Sequence, residues 1–149
     1  MSVDVQVETV IDRPVDDVAA YAGDPGNAPE WYANIVTVSW QTPPPVSVGS
    51  RMDFVARFLG RTLTYTYEVV EPQPQQRLVM RTADGPFPME TTYTWSEAEG
   101  GGTRMTLRNR GAPAGFARLT APMLEAAMRR ATTKDLARLK DVLESRQGG

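Results

Sequence analysis

The 149 residues include no histidine and no cysteine. Without histidine there is no Ser-His-Asp arrangement, no imidazole metal ligand and no general base of the commonest kind. Without cysteine there is no disulfide, no thiolate metal site and no Cys nucleophile. An oxygen-only metal site stays open, but the acidic residues are scattered and none has calcium-loop spacing. No stretch approaches the roughly 18 apolar residues of a membrane span. Met1-Ser2-Val3-Asp4-Val5 lacks the basic-then-apolar pattern of a signal peptide. These absences predict no cofactor, no metal and no membrane span, and make a soluble cytoplasmic protein the default.

Charge of one sign is also scarce. The net charge is −2, so nothing global calls for nucleic acid or an anionic membrane. The distribution is less even. Residues 1–100 carry 6 Lys/Arg against 14 Asp/Glu, and residues 101–149 carry 10 against 4. A basic C-terminal helix on a more acidic sheet accounts for this, and a basic surface for an anionic partner is the alternative. The length suits one domain over 1–149 with a real core, as a monomer or homodimer.

What is present is a clear order of periodicities. Val3, Val5, Val7, Thr9 and Ile11 alternate with polar residues, predicting a half-buried strand. Pro14 suits a helix first turn, with Asp12 as its cap and Val15, Val18, Ala19 and Ala22 as its inner stripe. A second short helix over 27–34 carries Trp31 and Tyr32. Ile35 to Gln41 reads as a strand with Val36, Val38 and Trp40 on one face. Met52, Phe54, Ala56 and Phe58 form the inner face of the next strand. A tight connection at Leu59-Gly60-Arg61 leads to Leu63, Tyr65, Tyr67 and Val69 on the inner face of its partner. Leu78–Thr82, Met89–Trp95 and Thr103–Arg110 complete the strands, separated by turn signals at Asp84-Gly85 and Gly100-Gly101-Gly102.

From Phe116 the period becomes helical. Leu124, Met128, Ala131, Thr132, Leu136, Leu139, Val142 and Leu143 make one stripe, with Arg129, Arg130, Lys134, Arg138 and Lys140 mostly outside it. A helix from Met123 to Gln147 spans roughly 37 Å. Pro122 either starts it or kinks it one turn in. The predicted class is α+β: a curved antiparallel sheet of six to seven strands around one long C-terminal helix, with two short helices after the first strand.

Such a sheet would normally close into a dry core. Its predicted inner face is rich in wide aromatic and methionine side chains, while the facing helix offers Ala127, Met128, Ala131 and Thr132. Methionine adapts to irregular shapes, and buried tyrosine and tryptophan need a partner for a polar tip. A cavity holding a small apolar molecule follows, in competition with plain core packing. The candidate ligand contacts are Phe54, Phe58, Tyr65, Tyr67, Met80, Phe87, Met89, Tyr93, Trp95, Leu124 and Met128. Phe87 between Pro86 and Pro88, and the segment from Gly111 to Phe116, are candidate lids.

The signposts also resemble those of a known superfamily. Arg13-Pro14-Val15-Asp16-Asp17-Val18, Trp31, Val48-Gly49-Ser50, Glu71-Pro72 with Arg77-Leu78, Gly102-Thr103-Arg104-Met105 and Asp135-Leu136-Ala137-Arg138-Leu139-Lys140 occur in the order found in START-like, or SRPBCC, helix-grip proteins. The chain looks most like the bacterial polyketide cyclase/dehydrase-like branch. That resemblance implies a hydrophobic tunnel between helix and sheet. Family members bind lipids, sterols, quinones, plant hormones or polyketides, and a minority are enzymes; the fold cannot choose among these.

Three functions therefore compete. The first is binding of a hydrophobic small molecule. The second is a polyketide cyclase/aromatase-like enzyme. Lacking histidine, it would draw on Tyr65, Tyr67, Tyr93 and Asn109, and a tyrosine base needs a nearby cation. No catalytic residue is assigned. The third is a protein-interaction adaptor that uses the basic face of the long helix. Nucleic-acid binding is not expected, because the chain is net acidic and its aromatics sit on apolar faces.

Overall fold

Alternation organises the chain into strands β1 (Val3–Ile11), β2 (Ile35–Trp40), β3 (Arg51–Phe58), β4 (Arg61–Gln73), β5 (Arg77–Asp84), β6 (Met89–Glu97) and β7 (Thr103–Gly111). The computed structural model describes residues 3–73, 76–85, 88–112 and 120–145, with the backbone alone for Pro72 and Gln73. All seven strands join one antiparallel sheet in the order β1-β7-β6-β5-β4-β3-β2. Helices α1 (Val15–Ala22) and α2 (Ala28–Trp31), separated by a 3-10 turn at Pro25–Asn27, carry the chain from one sheet edge to the other. Helix α3 (Ala121–Glu144) packs against β1, and the curled sheet wraps around it. This is the helix-grip fold that the sequence predicts. Among the described residues, no helix is long and apolar enough to cross a membrane.

Two local features adjust the predicted faces. Leu59 and Gly60 both take positive φ, and Phe58 pairs with Arg61. The β3–β4 hairpin is thus closed by two residues, a geometry that needs left-handed backbone. In β2 the pairing with β3 shifts between Ile35 and Thr37. Such a bulge adds one residue to one strand and reverses the faces beyond it. Val36, expected inside, is therefore 51% exposed, while Ile35 joins Val38 and Trp40 against the core.

Helix ends depart from expectation in one place. Pro14 itself occupies the N-cap of α1, and no side chain caps that end. The Asp12 N–H instead donates to the Glu144 carboxylate. Arg13 Nε donates to the Leu143 carbonyl at 2.8 Å, satisfying a carbonyl that a helix C-terminus leaves without a partner. Thr103 Oγ1 donates to the Arg13 carbonyl at 2.7 Å. Two separated signposts of the sequence therefore meet the end of α3 at one corner. At its other end, α3 is capped by Thr120, which accepts from Met123 N–H. Pro122 lies in the first turn and starts the helix.

The sequence's charge asymmetry is resolved across the sheet. Arg104, Arg108 and Arg110 of β7 pair with Glu8, Asp4 and Glu90 of the flanking strands. The core beneath has one large cluster and one small one. Ile11, Val18, Trp31, Leu136, Leu139 and Leu143 belong to a solid cluster around α1, α2 and the end of α3. Val3, Leu63 and Leu124 form a small separate cluster, with Phe58, Tyr65 and Met128 packed on it. Residues of both clusters line the space where the site forms.

Candidate functional site

A partly open cavity of about 150 Å³ lies between the inner sheet face and α3. Nine of the eleven candidate contacts line it: Phe54 and Phe58 from β3, Tyr65 and Tyr67 from β4, Met80 from β5, Met89 and Tyr93 from β6, and Leu124 and Met128 from α3. Register explains the convergence. Phe54 is paired with Tyr65, and their rings stack with centroids 5.8 Å apart. Tyr67 meets both rings edge-on, at 5.3 and 5.1 Å. Trp95 does not reach the cavity wall. It lies two residues beyond Tyr93 on β6, where its ring packs beneath Gly23 at the end of α1, so the α1 roof covers it. Phe87 lies outside the described residues, as do residues 113–116 of the other candidate lid.

The cavity carries polar groups in two places. On the sheet, Met80, Thr91 and Asn109 pair in one row across β5, β6 and β7. Thr91 Oγ1 donates to Asn109 Oδ1 at 2.7 Å. A hydroxyl has one proton, so the Tyr67 hydroxyl, 2.9 Å away, must donate to Thr91. The second group stands where the cavity meets the larger core cluster. Here the Tyr32 and Tyr93 hydroxyls share a hydrogen bond, and Trp31 supports both rings, at 4.1 and 5.9 Å. Asp135 of α3 lines the same cavity and is 3% exposed. Its Oδ1 accepts from Ala33 N–H at 3.0 Å.

Burial sets the electrostatics. It raises the Tyr32, Tyr65 and Tyr93 hydroxyls beyond the ordinary phenol range, and it pushes Tyr67 up to about 12, against the lowering effect of its Thr91 hydrogen bond. All four stay protonated near neutral pH, so none supplies a phenolate base. Burial also lifts the Asp135 carboxyl to about 6, with the Ala33 hydrogen bond opposing. That value suits proton exchange near neutrality.

A family model described as "Polyketide cyclase / dehydrase and lipid transport" matches residues 2–144. The chain belongs to that family. Solved structures with the same fold include a START superfamily protein from Mycobacterium smegmatis. It has a TM-score of 0.81 at 11% identity, over 95% of this chain and 97% of that one. An aromatase/cyclase from Streptomyces sp. R1128 has a TM-score of 0.78 at 17% identity, over 100% and 99% of the two chains. A protein from Thermus thermophilus gives 0.78 at 19%, over 94% and 96%. At these identities the likeness is one of fold. No curated protein matches the sequence.

Sequence reasoning did not find Asp135 as a cavity residue in this polyketide cyclase/dehydrase and lipid transport family member. The signal was present: position 135 falls on the α3 stripe, three or four residues from Ala131, Thr132 and Leu139. Tyr32, Asn34, Ile35 and Thr82 also line the cavity without having been singled out as contacts. The basic face of α3 is partly engaged within the fold. Arg129 donates to the Gln6 carbonyl, Arg138 to the Glu30 carbonyl and Lys140 to the Val10 carbonyl. That leaves less of the face for a partner protein.

Proposed function

We propose that this chain holds a hydrophobic small molecule in the cavity between its sheet and α3. The observation that carries this reading is an aromatic- and methionine-lined space left open between the inner sheet face and α3. Interiors are normally close-packed, so a retained apolar space of ring size is a binding feature. The family description includes lipid transport, which fits. Native mass spectrometry of freshly purified protein, followed by denaturation and small-molecule analysis, tests the reading. A stoichiometric apolar adduct that Met128→Trp removes supports it. An adduct retained at full occupancy in both Met128→Trp and Tyr65→Leu puts the ligand elsewhere and overturns it.

A second reading, polyketide cyclase-like catalysis, has one observation in its favour. Asp135, with a carboxyl that exchanges protons near neutrality, lines the same cavity as the Tyr32–Tyr93 hydroxyl pair. A base beside hydroxyl donors can remove a proton next to a carbonyl while the donors hold the developing oxyanion. Cyclisation of a single-ring poly-β-keto thioester by the wild type, lost in Asp135→Asn, supports this reading. Unchanged turnover in Asp135→Asn removes it.

A further inference from the structure

Asp135 is the one formally charged residue among the described residues that line the cavity. Its Oδ1 is bonded to the Ala33 N–H, and no described residue donates to its Oδ2. That second oxygen opens into the cavity rather than into packed core, where a carboxylate favours a partner that donates to it. Leu136, Leu139 and Leu143, further along α3, sit in solid core. Asp135 therefore stands at the inner limit of the cavity, about 16 Å along the helix from Leu124.

We propose that the cavity selects a protonated primary amine on a ring-sized apolar body, with the ammonium at Asp135 Oδ2. This inference rests on the small-molecule-binding reading and narrows it. The ammonium supplies the donors and the charge that Oδ2 lacks. The Tyr32 and Tyr93 rings line the same cavity as Asp135, and aromatic rings favour organic cations. No lysine or arginine is among the described lining residues. A carboxylate ligand would thus bring a second negative charge to Asp135 with nothing to offset it, which is strongly unfavourable in a low-dielectric site. A cavity of about 150 Å³ takes a body the size of one aromatic ring. A longer tail would have to leave through the open side.

Benzylamine, benzyl alcohol, benzoate and toluene share one ring and differ in the head group, so calorimetric titration of the full chain with each isolates the charge. The expected order at neutral pH is benzylamine tightest, by about tenfold over the alcohol, and benzoate weakest. Asp135→Asn keeps an acceptor for Ala33 N–H. It should bring the amine down to the affinity of the alcohol, with the alcohol changed by less than about twofold.

A pH series needs no variant. The titratable groups that feel the Asp135 charge are Tyr32 and Tyr93, and both stay neutral in the acid range. Amine affinity should fall to about that of the alcohol, by about tenfold in all, as the pH drops through the Asp135 titration, while alcohol affinity stays flat. Benzoate binding as tightly as benzylamine, an amine preference that survives Asp135→Asn, or a flat amine profile each overturns the inference. If toluene and the alcohol bind without an amine preference, the amine inference fails and the hydrophobic-ligand reading stands. If none of the four binds and the purified protein carries no adduct, both fail.

Discussion

The hydroxyls of Tyr32 and Tyr93 stand 2.5 Å apart and join the end of α2 to the middle of β6 across 61 residues of sequence. Each hydroxyl is the other's hydrogen-bond partner, so removing one leaves its mate unsatisfied in a largely dry place. Tyr32→Phe and Tyr93→Phe should each cost about 1–2 kcal/mol in urea unfolding. The double variant should cost clearly less than the sum, because the second removal deletes a group that has already lost its partner. Additive losses would mean that the two hydroxyls do not depend on each other. In the wild type, ultraviolet titration should find the cavity tyrosines un-ionised up to about pH 11.

Asp135 should make stability fall as pH rises. Its carboxyl titrates near 3.8 when unfolded and near 6 when folded, because burial disfavours the charged form. Between these values the folded state binds more protons than the unfolded state. The acid form's advantage is thus complete below about pH 3.8 and lost as the pH passes about 6. The loss is about 1–2 kcal/mol once screening by water in a partly open cavity is allowed for. Asp135→Asn has no proton to lose. Relative to wild type it should gain stability at neutral pH and little at pH 4 or so. A wild-type-minus-variant difference that is flat between those limits would show that Asp135 titrates normally.

Thr91 links the Tyr67 hydroxyl to the Asn109 side-chain amide across the sheet face. Thr91→Val keeps the shape and removes both bonds. It should cost about 1–3 kcal/mol, since Tyr67 and Asn109 would each lose a partner beside an apolar wall. An unchanged urea midpoint would mean that water replaces the threonine hydroxyl without loss.

Strand polarity was legible because β3, β4 and β6 each face a core on one side and solvent on the other, so alternation reports burial. That was enough to bring Phe54, Tyr65, Tyr67 and Tyr93 to one wall. The β2 bulge was not legible, because it changes pairing without a telltale residue, and it exchanged Val36 for Ile35 on the inner face. Asp135 was missed for a different reason. Pattern reading places a carboxylate outside by default, and only the fold shows that this stripe position faces a cavity and the Ala33 amide. Trp95 was over-read. Alternation gives its face correctly, but where α1 lies over that face is a tertiary fact.

The basic face of α3 offers a contrast between neighbouring arginines. Arg129 and Arg138 reach backbone carbonyls of β1 and α2 at 2.9 and 2.6 Å. Arg130 is exposed and makes no hydrogen bond or ion pair among the described residues. Exposed contacts of this kind are worth little singly, about 0.5–1 kcal/mol when a charged donor meets a carbonyl. Arg129→Ala and Arg138→Ala should therefore each lower stability by about that amount, through a weaker hold of α3 on its neighbours. Arg130→Ala should change it by less than about 0.5 kcal/mol. If all three variants unfold at the wild-type midpoint, the arginines are not holding the helix, and the whole basic face is free for a partner. If Arg129→Ala and Arg138→Ala alone are weakened, the face serves first to keep α3, and with it Leu124, Met128 and Asp135, in place over the cavity.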